Sequence, residues 1–335
     1  MKEVAPNIYV IKEKGSFGAI KPPENIYILA GEDGLIFDAG YGKKRAVNFF
    51  ITQFKKLEKE YQKVNKPFNI NRILPSHCHP DHFSGLKKIR EKLNVRILLT
   101  ERMASAIKNE ENFRKSFLAD LKEDYYEIKK GFKAKIKSYL QSKISSFFYK
   151  RIYGFSFIPD PDEIINEDGY IIINNEKWKI FPSPGHSPDH ISLYNEEKGI
   201  LFSGDNVLRS ITTWLGPPNC DIEDYINTIK IIKSLPKLEL ILPAHGSPIT
   251  NPKERLDEIL EHRKERTNQV LDIIKNNSNN GVTAGEIVKQ LYPNGGKFTH
   301  QIARGWVCLT LKMLERQSIV YKKEDVNAIK FYPIK

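Results

Sequence analysis

The sequence is poor in cysteine and has no long apolar run. Its 335 residues include three cysteines, Cys78, Cys220 and Cys308, which are too few and too scattered for a disulfide framework or a cysteine-based zinc site. No stretch approaches the roughly 18 consecutive apolar residues that a membrane span requires, and the first residues, MKEVAPNIYV, contain no apolar signal core. With 20 glycines and 19 prolines, the chain is neither collagen-like nor of low complexity. We therefore expect a cytoplasmic protein with no stable membrane anchor.

Positive charge is in excess, but lysine carries most of it. Lysine and arginine number 53 against 41 aspartates and glutamates, a net charge of +12, and only 13 of the basic residues are arginine. Because arginine is the preferred bidentate partner of phosphate, this composition permits an anionic partner without requiring one. The net charge is positive over residues 1–160 and 260–335 and negative over residues 161–259. A nucleic acid would therefore bind the two ends of the chain.

Strand and helix patterns alternate along the chain. The first hundred residues combine β-rich segments with an amphipathic helix over 43–64. Two predicted hairpins (170–181 and 191–205), a helix capped by Asp221 and a strand over 238–246 repeat this arrangement. Two β-rich halves, each with outer helices, predict two sheets packed face to face.

Two segments depart from that pattern. Residues 104–160 show no strand pattern and predict an inserted pair of helices, with an apolar stripe from Ile128 to Phe147 between lysines. Residues 263–335 follow the order helix, helix, helix, hairpin, which is typical of a winged helix. We expect the insertion to cover the mouth of the functional site as a lid, with a homodimer interface as the alternative way to bury its stripe.

The strongest motif is SHCHPDHFSG, which places His77, His79, Asp81 and His82 between a predicted strand and a predicted helix. Two histidines two residues apart on a loop can converge on one metal, and the aspartate and histidine beyond them can reach a second. Imidazole and carboxylate ligands suit Zn²⁺ and similar divalent cations. The motif therefore predicts a metal site.

Three later residues at predicted strand ends would complete a two-metal site: His186 in PSPGHSPDH, Asp205 in LFSGD and His245 in LPAHG. Each alone is more typical of a hydrogen-bonded turn, but together they reinforce the first motif. Asp38, which ends the strand LIFDAG, is either a turn cap or an acceptor for the N–H of a ligand. His190 is expected to be a structural residue or to contact a metal ligand, rather than to bind metal itself.

In this order, the histidines and aspartates resemble the metallo-β-lactamase superfamily of metal-dependent hydrolases. The resemblance implies an α/β fold, an αββα four-layer metallo-β-lactamase sandwich, with the catalytic domain over residues 1–262, a helical insertion at about 104–160, and a C-terminal winged-helix domain over 263–335. It implies two metals, Zn²⁺ above all, with Mn²⁺ or Fe²⁺ as alternatives. The implied ligands are His77, His79 and His186 for the first metal, Asp81, His82 and His245 for the second, and Asp205 as the bridge between them.

A hydroxide shared by the two metals would then be the nucleophile, and the catalytic residues would be Asp81, which can orient the hydroxide or take its proton, and Asp205. Aspartate at position 205 is unlike the zinc β-lactamases with cysteine there, and histidine at position 79 is unlike the flavodiiron-type oxidoreductases. The C-terminal segment resembles the lactamase-β-2-like branch, which includes a single-strand endoribonuclease.

Three functions remain open at this point. The leading hypothesis is an endoribonuclease with single-stranded RNA as its partner. The alternative is a hydrolase of small carboxylic esters, thioesters or lactones, with the insertion as a lid and Trp214 lining a substrate pocket. The third is an iron-dependent persulfide dioxygenase. An open basic groove leading to the metals would favour RNA, whereas a closed apolar pocket under the insertion would favour a small acyl substrate.

Overall fold

The computed structural model describes residues 1–15, 21–118, 147, 150–210, 212–216, 219–324 and 328–334. Two mixed sheets form the centre of the molecule. In the first sheet, the strands follow one another in chain order, antiparallel up to β4 and parallel from there on. Its strands are β1 (Lys2–Ala5), β2 (Ile8–Glu13), β3 (Glu24–Leu29), β4 (Gly34–Phe37), β5 (Ile70–Leu74), β6 (Arg96–Thr100) and β7 (Glu163–Ile165).

The second sheet has the strand order β12-β11-β10-β9-β8 and is antiparallel except for the pair β11 and β12. Its strands are β8 (Gly169–Ile173), β9 (Glu176–Pro182), β10 (Ile191–Asn195), β11 (Ile200–Gly204) and β12 (Leu240–Pro243). Both predicted hairpins are present. The first turns at Asn174 and Asn175, both with positive φ, because asparagine tolerates the left-handed conformation that a tight hairpin requires.

Aromatic side chains fill the space between the two sheets. Phe202 on β11 lies with its ring centroid 5.0 Å from Tyr27, 5.2 Å from Phe37 and 5.5 Å from Trp178. All four residues are almost fully buried. Phe202 thus contacts strands β3 and β4 of the first sheet and, within its own sheet, Trp178 on β9.

Helices cover the outer faces of both sheets, so the predicted four-layer sandwich is confirmed. They are α1 (Lys44–Lys63), α2 (Pro80–Phe83), α3 (Leu86–Leu93), α4 (Glu101–Ile107), α5 (Glu110–Phe113), α6 (Ile222–Lys233), α7 (Pro252–Asn276), α8 (Ala284–Leu291) and α9 (Lys297–Arg316). A π-helical turn over Arg114–Leu118 follows α5. The amphipathic α1 packs Val47, Phe50, Phe54, Leu57 and Tyr61 against the first sheet.

The single helix predicted after the SHCHPDH motif is in fact two helices, α2 and α3, separated at Ser84 and Gly85. A Cβ at Gly85 would lie 2.1 Å from the backbone oxygen of Ala39. The chain must therefore pass close to the loop after β4, and only glycine permits this approach.

The inserted segment is described only at its two ends. Its first part forms most of α4, then α5 and the π-helical turn, and residues 150–153 are helical. The predicted stripe from Ile128 to Phe147 lies outside the described residues, apart from Phe147 itself, which is exposed. The predicted lid therefore remains a prediction.

The C-terminal segment packs on the helix layer of the second sheet. Its strands β13 (Val282–Thr283), β14 (Val320–Glu324) and β15 (Ile329–Pro333) form a third sheet, in the order β13-β15-β14. One buried cluster joins residues of α6, such as Ile229, to residues of α7, α8 and α9, such as Val307. The expected domain boundary at residue 262 lies inside the continuous helix α7. Among the helices in the described ranges, none is both long enough and apolar enough to cross a bilayer.

Candidate metal centre

The residues expected to bind metal lie in loops that follow the sheet strands. The loop after β5 carries four of them, and the loops after β9, β11 and β12 carry one each. These four strands belong to the two packed sheets, and their carboxyl ends lie at the same end of both sheets. The structure brings all seven side chains together there: His77, His79, Asp81, His82, His186, Asp205 and His245.

Three of these residues, His77, His79 and His186, form what we call the three-histidine group. One ring nitrogen from each lies within 4.8 Å of the others, and His186 Nε2 is 2.8 Å from His79 Nδ1. His186 Nδ1 lies 2.8 Å from the backbone oxygen of Trp214, which can only accept, so the proton is on Nδ1 and the Nε2 lone pair is free for a metal. Burial lowers the pKa of all three rings, which are therefore neutral.

Asp81, His82 and His245 form a second group, here called the acidic group. Asp81 Oδ1 is 3.8 Å from His82 Nε2, and its Oδ2 is 3.6 Å from His245 Nε2. Burial acts to lower the pKa of both histidines, but the carboxylates around them hold it well above its ordinary value. Without a cation these two rings are protonated, so a cation that binds here must displace their protons.

Asp205 lies between the two groups. Its Oδ2 is 3.4 Å from His186 Nε2 and 3.7 Å from His82 Nε2, and its Oδ1 is 3.3 Å from His245 Nε2. Burial acts to raise the pKa of Asp205, but His245 and His82 hold it well below its ordinary value, and the side chain is ionised. One carboxylate therefore faces ring nitrogens of both groups, as a bridging ligand must.

Buried atoms of the cluster test whether a metal fits. In the part of the chain that the structure describes, His77 Nε2, His82 Nε2 and Asp205 Oδ1 have no hydrogen-bond partner. Leaving such an atom unsatisfied costs about 1–3 kcal/mol, and an unseen ion is one established reason why proteins retain one. Imidazole nitrogens and carboxylate oxygens are the ligands that divalent transition metals select. The cluster therefore fits a dinuclear metal site.

The two residues expected to support the ligands lie beside them. Asp38 Oδ1 accepts the N–H of Ser76 at 2.7 Å and lies 3.4 Å from His82 Nδ1. His190 Nε2 accepts the N–H of Asp205 at 3.2 Å, and its Nδ1 lies 2.8 Å from Ser183 Oγ. Because both nitrogens of His190 are engaged, its geometry suits orienting Asp205 rather than binding metal.

Two further buried carboxylates at the site were missed in the sequence. Glu24, the first residue of β3, is fully buried, with one oxygen 3.3 Å from His82 Nδ1 and the other 3.2 Å from His245 Nδ1. Asp189 accepts the N–H of Cys78 at 2.8 Å and so joins two ligand-bearing loops. The available signals were an acidic residue opening an otherwise apolar strand and an aspartate between the two histidines of HSPDH.

A cavity of about 670 Å³ opens beside His79. Residues of α4 and of the π-helical turn, including Ser105, line it together with Asp189, so the described start of the inserted segment borders the site. Trp214, which was expected to line a substrate pocket, is not part of this lining. It is half-exposed and contacts the cluster through its backbone oxygen, at His186.

The model of the metallo-beta-lactamase superfamily matches residues 21–245. This chain belongs to that superfamily. A beta-lactamase-like protein 2 homologue of Caenorhabditis elegans is 30% identical over 177 residues, which are 51% of this chain and 58% of the relative. The alignment thus spans little more than half the length of that relative.

Other relatives align over more of the chain. An atrochrysone carboxyl ACP thioesterase of Aspergillus fumigatus is 23% identical over 80% of this chain and 68% of its own length. A probable metallo-hydrolase of Bacillus subtilis is 25% identical over 73% of this chain and 88% of its own length. The crystal structure of a metallo-beta-lactamase family protein from Thermus thermophilus superposes with a TM-score of 0.72 at 18% identity, covering 99% of this chain and all of the other. At that identity the match shows the fold alone.

Proposed function

We propose that this protein is a dinuclear metal-dependent hydrolase of small carboxylic thioesters, esters or lactones. The observation that carries the proposal is the cavity beside His79, which the described start of the inserted segment encloses on one side. About 670 Å³ is a volume typical of small-molecule sites, and an acyl chain held there would bring its carbonyl carbon to the three-histidine group. The similarity to the Aspergillus fumigatus thioesterase, which aligns over 80% of this chain, supports the same class of substrate.

Zinc is the metal we propose, because five imidazole rings and two carboxylates make up the expected ligand set. When bound, two such cations lower the pKa of a water molecule and polarise the carbonyl of the substrate. Metal analysis of protein purified without chelator should give close to two equivalents of zinc. One equivalent of iron without zinc would contradict the hydrolase assignment and favour the dioxygenase.

The side chains of the cluster would have different roles in the proposed hydrolysis. Asp205 would hold the two halves of the centre together, since its carboxylate faces both groups. Asp81 would take the proton of the attacking water, whose oxygen forms the new bond to the carbonyl carbon. As the C–S or C–O bond breaks, that proton would pass from Asp81 to the leaving thiolate or alkoxide. One water thus converts a thioester into an acid and a thiol.

A second candidate, cleavage of single-stranded RNA, is favoured by one feature of the C-terminal segment. We propose a winged-helix domain over residues 263–335, and its last hairpin stacks the rings of Tyr321 and Tyr332 at 5.3 Å and 17°. Lys323 Nζ lies 5.6 Å and 5.1 Å from these two rings. Exposed aromatic rings beside cations are the surfaces on which unpaired bases stack.

One set of assays separates the two candidates. Zinc-loaded protein is supplied with acetyl, butyryl and octanoyl thioesters, with release of thiol as the readout, and separately with a fluorescent single-stranded RNA. The proposal expects thioester turnover that Asp205→Ala abolishes. Cleavage of RNA alone, abolished by the same substitution, would refute the acyl substrate and establish the second candidate.

Two substitutions on α4 test the cavity. Ser105 lines the cavity and Lys108, just after the same helix, does not, although both are exposed. Ser105→Trp should fill the cavity and raise KM for the octanoyl thioester about tenfold, the loss of roughly 1.4 kcal/mol of binding, with little change for acetyl. Lys108→Trp, the matched control, should change neither. Equal KM values for Ser105→Trp and the native protein on octanoyl substrate would exclude the cavity as the acyl site.

A further inference from the structure

Glu24 contacts the Nδ1 atoms of both histidines of the acidic group, on the side of each ring away from Asp81 and Asp205. Its Oε1 lies 3.3 Å from His82 Nδ1, and its Oε2 lies 3.2 Å from His245 Nδ1. The carboxylate is fully buried, and neither oxygen makes a hydrogen bond with any residue that the structure describes, so the two histidines meet it as close charge contacts. A buried carboxylate without compensation is costly, so its position between the two rings requires an explanation.

The surroundings of the two rings decide where their protons lie. The Nδ1 of His245 faces the backbone oxygen of Pro23 at 2.7 Å as well as Glu24, and the Nδ1 of His82 faces Asp38 as well as Glu24. Carbonyl and carboxylate oxygens can only accept, so both Nδ1 atoms carry hydrogen. The lone pairs of a metal-binding ring are then on Nε2, and both Nε2 atoms face Asp81 and Asp205.

We propose that Glu24 is the positioning residue of the second metal: one carboxylate that fixes the tautomer and orientation of both His82 and His245. Carboxylates that accept the other N–H of a ligating histidine orient the ring and increase its basicity. Here a single carboxylate faces the Nδ1 atoms of two expected ligands at once and can accept from either. The inference rests on the proposed two-metal centre and goes beyond it, because it assigns the second site a residue outside the expected ligand set.

The alternative role for Glu24 is as a metal ligand itself. A carboxylate oxygen of Glu24 lies within 4.8 Å of ligand-capable atoms of Asp81, His82 and His245. However, its short contacts are to Nδ1 of each ring, the opposite side from the Nε2 atoms that face Asp81 and Asp205. A metal between those aspartates would have the two rings between itself and Glu24.

Glu24→Gln tests the proposal with little change of shape. The glutamine amide offers one acceptor and one donor group, so its NH₂ must face one of the two Nδ1–H groups. That ring must then either turn away or move its proton to Nε2, where it blocks the metal. We expect the acidic group to bind metal about 10- to 100-fold more weakly, while the three-histidine group binds within about threefold of the native affinity.

Glu13 provides the matched control. It is the direct cross-strand neighbour of Glu24, is also buried, and accepts the backbone N–H of Tyr41 rather than a proton from a ring of the cluster. Glu13→Gln therefore removes a buried carboxylate from the same pair of strands without altering the histidines. Both metal affinities should be unchanged in this variant.

The measurement uses full-length protein stripped of metal. Zinc titration against a competing chromophoric chelator gives the two affinities, and cadmium NMR gives one resonance for each occupied site. In Glu24→Gln the resonance of the acidic group should be lost at cadmium concentrations that still fill the three-histidine group. Thermal unfolding of the metal-free variant reports whether it folds, and if it does not, Glu24→Asp carries the same test, since its shorter side chain reaches only one ring.

Each outcome has one meaning. Native affinities at both sites in Glu24→Gln would overturn the inference, and so would equal weakening of both sites, which a general structural role would produce. A changed cadmium resonance in the three-histidine group alone would also overturn it. Fewer than two equivalents bound by the native protein would refute the two-metal centre instead, so the two failures are distinguishable.

Discussion

Asp189 gives the sharpest test of how the three-histidine group is held in place. Its Oδ2 accepts the N–H of Cys78 at 2.8 Å, and the hydroxyl of Ser187 donates to its other oxygen. Cys78 lies between His77 and His79, and Asp189 lies three residues after His186, so this contact joins the loops that carry all three histidines. A buried hydrogen bond to a charged acceptor contributes about 1.5–3 kcal/mol.

Asp189→Ala removes that bond and should loosen one loop relative to the other. If the whole loss falls on metal binding, the affinity of the three-histidine group decreases about 10- to 150-fold, since about 1.4 kcal/mol corresponds to a factor of ten. The acidic group, which Asp189 does not contact in the structure described, should keep its affinity. Zinc titration with cadmium NMR measures both.

Two further variants make the result specific. In Asp189→Asn the amide oxygen can still accept from Cys78, so this variant should stay within about threefold of the native affinity. Asp168→Ala removes an exposed aspartate elsewhere and should have no effect. The reasoning is wrong if Asp189→Ala binds metal normally, or if Asp189→Asn is as damaging as Asp189→Ala, because the charge rather than the hydrogen bond would then be responsible.

Three more predictions rest on the same contacts. Asp205→Ala should lose the second metal and nearly all turnover while the fold survives, which metal analysis and circular dichroism check; native turnover would refute the bridge. Deleting residues 263–335 removes none of the expected ligands but should expose the apolar face of α6, so most of the truncated protein should sediment after expression; a soluble, active product would show an independent module. Burial raises the pKa of Glu13 from 4.5 to about 7, so its contribution to stability falls as the pH rises through that window, by about 3 kcal/mol in total. The free energy of unfolding of Glu13→Gln relative to the native protein, measured with urea on metal-free protein, should therefore be higher at pH 8 than at pH 5. An equal difference between the two proteins at both pH values would contradict the raised pKa.

Much of the fold could be predicted from local sequence patterns. The turn at Asn174 and Asn175 could be predicted because two asparagines between β-rich runs favour left-handed backbone. The helix cap at Asp221 could be predicted because a short acidic side chain satisfies the first N–H groups, and its Oδ1 accepts those of Glu223 and Asp224. The short edge strands β1 and β7 were missed, because pairing with a neighbour, rather than a pattern of their own, makes them strands.

The same distinction, between what local sequence indicates and what only the tertiary fold reveals, applies to the residues of the site. His77 and His79 could be recognised because their spacing within one loop is itself the signal for a metal. Glu24 could not, because nothing near it in the sequence indicates that His82 and His245 will meet on either side of its carboxylate. Residues that bind are marked by local motifs, whereas residues that orient the ligands are marked only by the tertiary fold.

The C-terminal segment is connected to the cluster by the same kind of nonlocal contact. Arg316, at the end of α9, makes an ion pair of 2.9 Å with Asp221, whose N–H donates to the backbone oxygen of Gly185. Gly185 immediately precedes His186, and a Cβ on it would lie 2.3 Å from the Cα of Tyr225 in α6. The loop that carries His186 is therefore confined against α6, and Arg316 holds the start of that helix. Although the segment contributes none of the expected ligands, it supports the loop that presents one of them.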